Sequence, residues 1–131
     1  MARVSSSIPS TADGRRRLGS RGEEAAARWY VGAGYRVVDR NWRCSEGEID
    51  LIAVEPGGGV LVICEVKTRS SALFGSPEEA VTGAKQRRLR RLAARWLAQQ
   101  REPVRAVRFD VAAVLADRAG NLVVDVVQDA F

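Results

Sequence analysis

At 131 residues, with 46% hydrophobic content and a formal net charge of +5, the chain has the size of one basic domain with a modest core. Histidine is absent and there are two cysteines, Cys44 and Cys64. This excludes Ser-His-Asp and Cys-His nucleophiles, histidine-based nucleases, and zinc sites built on histidine or on four cysteines. Any hydrolytic chemistry must therefore use carboxylates, lysine and a metal. No apolar run approaches the length of a membrane span, and the N-terminus lacks the apolar segment of a signal peptide. The expectation is a cytoplasmic protein without a membrane partner, with Cys64 a reduced thiol inside an apolar strand.

In chain order, residues 1–19 are poor in large apolar side chains and rich in Ser, Arg and Gly. They read as a disordered basic arm ahead of a single domain at 20–131. A helix over Ser20–Ala33 follows. Ser20 and Glu23 have capping-box spacing, Ala26, Trp29, Tyr30 and Ala33 form the buried stripe, and Gly34 stops the helix. Tyr35–Asp39 reads as a short strand, followed by Asn41-Trp42-Arg43, where Trp42 packs or stacks on a base. Ile49–Val54 and Val60–Val66 are β-branched and apolar on both faces, and Pro56-Gly57-Gly58-Gly59 turns one into the other. Ser70–Ser76 is a loop, and Ser76-Pro77-Glu78-Glu79 carries the signals of a short helix start. Gly83 breaks that turn, and Thr82 caps a long helix in which Leu89, Leu92, Ala93, Trp96 and Leu97 recur at core spacing. Strands at Val107–Leu115 and Leu122–Val127, joined by a turn at 117–121, complete the chain. The order α-β-β-β-α-β-β makes this an α/β protein, a mixed sheet flanked by helices, with a parallel crossover between strands 60–66 and 107–115.

Charges interrupt the central hairpin at Glu48, Asp50, Glu65 and Lys67. With a loop at 56–59, Asp50 lies opposite Glu65 and Glu48 opposite Lys67, with Cβ atoms about 4.5–5.5 Å apart. Two carboxylates that close repel unless a cation lies between them. Oxygen donors of this kind, with a backbone carbonyl and water, suit Mg²⁺ or Mn²⁺. A salt-bridged pair at a strand end is the plainer alternative. Lysine occurs only at Lys67 and Lys85, against 19 arginines. A lysine inside a carboxylate cluster of so arginine-biased a chain points to a need for a compact ammonium.

Residues 84–108 hold nine basic residues and one acid, whereas residues 22–83 hold six basic and ten acidic residues. A basic segment beside an acidic centre suits a polyanion delivered to a metal-binding pocket, so nucleic acid is the expected partner. On the long helix, Arg87, Arg88 and Arg91 are candidates to grip phosphate, with Lys85 and Gln86 in the first turn where free backbone N–H groups attract anions. Arg43 and Arg69 are further candidates on the strands. A merely solvated face is the alternative for the arginines.

Several of these motifs together resemble the YraN-like family of small bacterial proteins. They are Gly22-Glu23, Gly47-Glu48-Ile49-Asp50-Leu51-Ile52-Ala53, Glu65-Val66-Lys67-Thr68-Arg69, Phe74-Gly75-Ser76-Pro77, Glu79-Ala80-Val81-Thr82, Lys85 and Arg108-Phe109-Asp110-Val111. The family looks like a branch of the PD-(D/E)XK nuclease superfamily, similar to archaeal Holliday-junction resolvases. The resemblance implies a restriction-endonuclease-like fold and metal-dependent cleavage of DNA, branched or junction DNA included. It assigns Asp50, Glu65 and Lys67 to the catalytic positions. It puts Asp50, Glu65, the Val66 carbonyl and the helix residue Glu23 around Mg²⁺ or Mn²⁺, and it makes a homodimer plausible. Ile49, not the proline of the superfamily motif, precedes Asp50, and that proline is dispensable in the superfamily. The rival readings are a non-catalytic nucleic-acid-binding module that keeps the fold, and a scaffold whose basic helix meets an acidic partner.

Overall fold

An apolar hairpin occupies the centre of the computed structural model, which describes residues 12–70, 81–101 and 103–131. Its strands are β2 (Gly47–Val54) and β3 (Val60–Arg69), paired antiparallel with Leu51 opposite Cys64 and Val54 opposite Leu61. The turn is the four-residue one expected. Glu55 N–H donates to Val60 O at 3.0 Å and Gly58 N–H to Glu55 O at 2.9 Å. Gly57, Gly58 and Gly59 have φ of 91°, 77° and 91°. Such values favour glycine, which has no Cβ to clash.

Around this hairpin, β1 (Arg36–Cys44) pairs antiparallel with β2, and β4 (Ala106–Ala116) lies parallel to β3. The last strand, β5 (Leu122–Val127), is antiparallel to β4. The sheet order is β1-β2-β3-β4-β5, so β3 is the middle strand. Side chains alternate along it. Val62 and Cys64 face the helix α1 (Ala12–Gly32), in a cluster with Ala26, Ala27, Tyr30, Leu51, Ala53 and Ala112. Leu61 and Ile63 face the helix α2 (Gly83–Ala98), packing with Leu89, Leu92, Ala93, Trp96, Phe109 and Val111. Glu65 is the next residue in the α2-facing series, so β3 carries it from the core toward the first turn of α2. Thr82 caps that turn, its hydroxyl accepting Lys85 N–H at 3.2 Å.

Two expectations need correction, and a third lies mostly outside the described residues. The first helix begins at Ala12, not Ser20, so residues 12–19 are helical and the Ser20–Glu23 spacing lies within a helix instead of capping one. Arginine and leucine are good helix formers, and one glycine costs about 1 kcal/mol, which Gly19 did not make decisive. Residues 1–11 of the expected arm lie outside the described residues. The first strand runs on to Cys44, past an irregularity between Val37 and Asp39 and an Asn41 with φ of 52°. Its partner β2 supplies the pairing that local sequence does not announce. The loop at 70–76 reaches beyond the described residues after Ser70, and the helix start at 76–79 lies outside them altogether. Among the described residues no helix is long and apolar enough to cross a membrane.

Gly22 fixes how α1 approaches the sheet. A Cβ there would stand 1.9 Å from Thr68 Oγ1 and 3.0 Å from Thr68 Cβ. Gly22→Ala gains about 1 kcal/mol of helix propensity but must push α1 off β3, an overpacking cost of about 1–3 kcal/mol. The expected net result is a loss of up to about 2 kcal/mol in urea denaturation, recovered in a Gly22→Ala/Thr68→Ala double variant. A Gly22→Ala protein more stable than the unsubstituted one would refute the close fit.

A second polar network lies under α1. Asp110 is fully buried. It accepts from Tyr30 Oη at 2.6 Å, from Arg108 Nε and Nη2 at 2.9 Å each, and from Asp129 N–H at 3.0 Å. Arg108 also donates to Tyr35 Oη at 2.8 Å and to Glu55 Oε2 at 3.1 Å. Asp110 thus has the structural role expected of it, and its hydrogen bond heads the influences that raise the Arg108 pKa.

Candidate active site

Backbone pairing between β2 and β3 stops at Leu51–Cys64. In that register Asp50 and Glu65 are the next residues in line, and the Asp50 carboxylate closes the end of the hairpin by accepting Val66 N–H on Oδ2 at 2.8 Å. Burial first, then the charge of Glu65, pushes the Asp50 pKa up to about 7, against the hydrogen bond from Val66. The crowded carboxylate pair read from the register is therefore present.

Glu65 is itself buried, and both lysines of the chain reach it. Lys67 Nζ lies 3.3 Å and Lys85 Nζ 2.5 Å from the same oxygen, Oε2. Burial, followed by the neighbouring Lys85, lowers the Lys67 pKa against the pull of Glu65. Burial also works against a charged Lys85, but pairing with Glu65 and attraction to Asp50 outweigh it, and its pKa is raised. A hollow of about 200 Å³ opens here, lined by Glu48, Asp50, Glu65, Lys85, Arg88, Leu89 and Leu92.

Glu48 does not meet Lys67, as the extended register had it. The β2–β3 ladder ends before Glu48, which instead pairs with β1 opposite Arg43, Nε to Oε2 3.2 Å. Glu23 comes to the edge of the acidic group. Its pKa is raised by burial and then by Glu48, with a smaller push from Glu65. With its amide turned to donate, Asn41 bridges Glu23 Oε1 at 3.1 Å and Glu48 Oε2 at 3.2 Å. Nothing in the sequence marked Asn41 for this place.

The arginines and Gln86 divide. Arg87 and Arg88 are exposed and, among the described residues, form no ion pair, and Arg88 borders the hollow. Arg91 leans on Glu46 at 3.7 Å, where Arg95 also binds at 3.0 Å. Arg90 lies over Phe109, 4.7 Å from the ring centre. Arg69 is partly buried at the end of β3. Gln86, expected to face phosphate, donates to Val81 O at 3.1 Å and so braces the entry to α2.

Among the described residues, no three acidic or thiol side chains converge as a complete metal cage. Two carboxylates and a strand carbonyl still form a donor set of the right chemistry, because Mg²⁺ is usually held by one or two carboxylates and completes its shell with water and phosphate oxygens. Asp50, Glu65 and Val66 fit that set, with Glu23 at its margin.

The family model described as "Uncharacterised protein family UPF0102" matches residues 22–114, which span every residue of this cluster. The chain belongs to this family. UPF0102 is the YraN-like family that the motifs resemble. A UPF0102 protein of Beutenbergia cavernae is 57% identical over 103 residues, covering 79% of this chain and 86% of its own. Another, from Nocardioides sp., is 52% identical over 108 residues, covering 82% and 86%. A third, from Parafrankia sp., is 49% identical over 115 residues, covering 88% and 96%. Among solved structures, that of Pyrococcus furiosus SfsA in complex with Ca²⁺ covers 84% of this chain and 62% of its own length, with a TM-score of 0.35 and 11% identity. That likeness is too distant to carry function across. UPF0102 membership thus stands on sequence, and the chemistry of the site on its own geometry.

Proposed function

We propose that this UPF0102 protein is a Mg²⁺- or Mn²⁺-dependent nuclease that hydrolyses phosphodiester bonds in DNA, with branched and junction DNA among its substrates. The observation that carries the reading is the convergence of Asp50, Glu65 and Lys85 on one hollow at the open end of the central hairpin, with Lys67 reaching the same Glu65 oxygen. Crowded carboxylates beside partly exposed ammonium groups suit a site that handles a cation and an anion together.

Asp50, Glu65 and the Val66 carbonyl would hold the cation, with help from Glu23. When bound, the cation supplies the acidity that makes water a nucleophile at neutral pH and polarises the phosphate oxygen, so no histidine base is needed. The Val66 N–H fixes the plane of the Asp50 carboxylate. Lys67 orients the attacking water or meets the negative charge that develops on the phosphate. Arg87 and Arg88 on α2, with Arg43, Arg69 and Arg91 around the site, hold the nucleic-acid backbone. A homodimer would present two such sites to the two strands of a junction. The cytoplasm is the proposed place of action.

The test is a cleavage panel of labelled duplex, single-stranded, flap and four-way-junction DNA with Mg²⁺, Mn²⁺ or EDTA. Cutting that requires metal supports the reading, and the preferred substrate defines it further. One observation favours a second reading. Glu65 is already neutralised by two lysines, as in a structural ion pair. A non-catalytic nucleic-acid-binding module would give salt-dependent binding and no product on any substrate.

A further inference from the structure

Glu65 Oε2 has two lysine partners, and they are not equivalent. Lys67 comes from the same strand two residues on, at 3.3 Å. Lys85 comes from α2, at 2.5 Å, and it is Lys85 that lines the hollow together with Asp50. Its ammonium is also drawn by the Asp50 charge. It therefore sits on Glu65 within the hollow that Asp50 also lines, where a divalent cation shared by the two carboxylates would have to enter. A cation cannot take Glu65 Oε2 at full strength while that oxygen accepts a charge-assisted hydrogen bond of this length.

The backbone of Lys85 is fixed by the Thr82 cap, while its side chain is a flexible stem about a quarter exposed, at 26%. The hollow holds three acids and two bases, Lys85 and Arg88. Expelling the lysine to admit a divalent cation leaves an ammonium without a counter-charge at its rim, beside the N-terminal turn of α2 and the exposed Arg87 and Arg88. That is where a phosphate group finds its complement.

We propose that Lys85 is the resident counter-cation of Glu65, that it leaves Glu65 when a divalent metal seats, and that nucleic-acid phosphate draws it off, so metal and phosphate bind cooperatively. The inference rests on the metal-dependent reading of the site. By linkage, whatever factor phosphate adds to metal affinity, metal adds to phosphate affinity. Lys85→Gln removes the nearer of the two ammonium groups on Glu65 Oε2 and leaves Lys67 at 3.3 Å, so the free protein binds metal more tightly and the mutual enhancement is largely lost. Lys85→Arg keeps a cation near Glu65 and keeps the competition.

The test measures Mn²⁺ binding to the full chain by the loss of the free-ion EPR signal, without nucleic acid. In parallel, fluorescence anisotropy follows binding of a hydrolysis-resistant phosphorothioate duplex in Mn²⁺ and in EDTA. The unsubstituted protein is expected to bind duplex about tenfold more tightly in Mn²⁺ than in EDTA. Lys85→Gln is expected to bind Mn²⁺ about tenfold more tightly than the unsubstituted protein and to show little Mn²⁺ enhancement of duplex binding. Lys85→Arg should resemble the unsubstituted protein in both measurements. If Lys85→Gln binds Mn²⁺ no better, or keeps the full enhancement, the coupling is overturned while the nuclease reading stands. If neither protein binds Mn²⁺ with or without duplex, both fall.

Discussion

Asp50→Asn is expected to lose metal-dependent cleavage by about 10²–10⁴-fold, the span of a lost acid–base or electrostatic contribution, while the folded protein becomes more stable above neutral pH. The two effects have one cause. Asp50 is held beside Glu65 in a partly buried place, which pushes its pKa from an ordinary 3.8 up to about 7. Between those values the folded protein holds a proton that the unfolded chain has lost. Stability contributed by this group is therefore complete below about pH 4 and falls as pH rises toward about 7. Asparagine has no such titration, and its side-chain oxygen can still accept the Val66 N–H. The distance from 3.8 to about 7 sets a ceiling of about 4 kcal/mol, and since the lysines share the charge, a gain of about 1–3 kcal/mol is expected at pH 8. At pH 4 the difference should nearly vanish. Urea denaturation in EDTA at both pH values measures the stability, and anisotropy checks that DNA binding persists. A variant that still cuts would remove Asp50 from the chemistry. One less stable than the unsubstituted protein at pH 8 would contradict the repulsion.

The second large effect concerns folding. Asp110→Ala is expected to cost about 3–5 kcal/mol, because it strips a partly buried guanidinium of its bidentate partner and leaves the Tyr30 hydroxyl without an acceptor. Asp110→Asn keeps one acceptor oxygen and should cost less, about 1–3 kcal/mol. Asp110 pairs with Cys64 and faces α1, whereas the neighbouring Glu65 turns to the α2 side of the sheet, so Asp110→Asn should bind metal as the unsubstituted protein does. Chemical denaturation and Mn²⁺ binding separate the two roles. An Asp110→Ala protein within 1 kcal/mol of the unsubstituted one would contradict a network of this weight.

The central hairpin was legible because its signals are local. A Pro-Gly-Gly-Gly turn of fixed length sets the register, and the register brings Asp50 to Glu65. The course of the hairpin beyond Leu51–Cys64 was not legible, because strands need not stay paired once side chains take over the backbone donors. Asp50 takes the Val66 N–H, and Glu48 turns to Arg43 on the other neighbouring strand. The early start of α1 was hidden by glycines and serines that look loop-like in sequence. Gly22 is in fact where the helix comes closest to the sheet. The scarcity of lysine pointed to Lys67. It pointed equally to Lys85, but 18 residues separate the two, and only the packing of α2 on the sheet brings both to one oxygen.

The most direct measurement compares the unsubstituted protein with Lys67→Ala on the preferred DNA substrate, with enzyme in excess, in Mg²⁺ and in EDTA. The expected result is cleavage by the unsubstituted protein in Mg²⁺ only, slowed about 10²–10³-fold in Lys67→Ala at unchanged DNA affinity. Equal cutting by both proteins, or cutting that persists in EDTA, would contradict a metal-dependent site built on Asp50, Glu65 and Lys67.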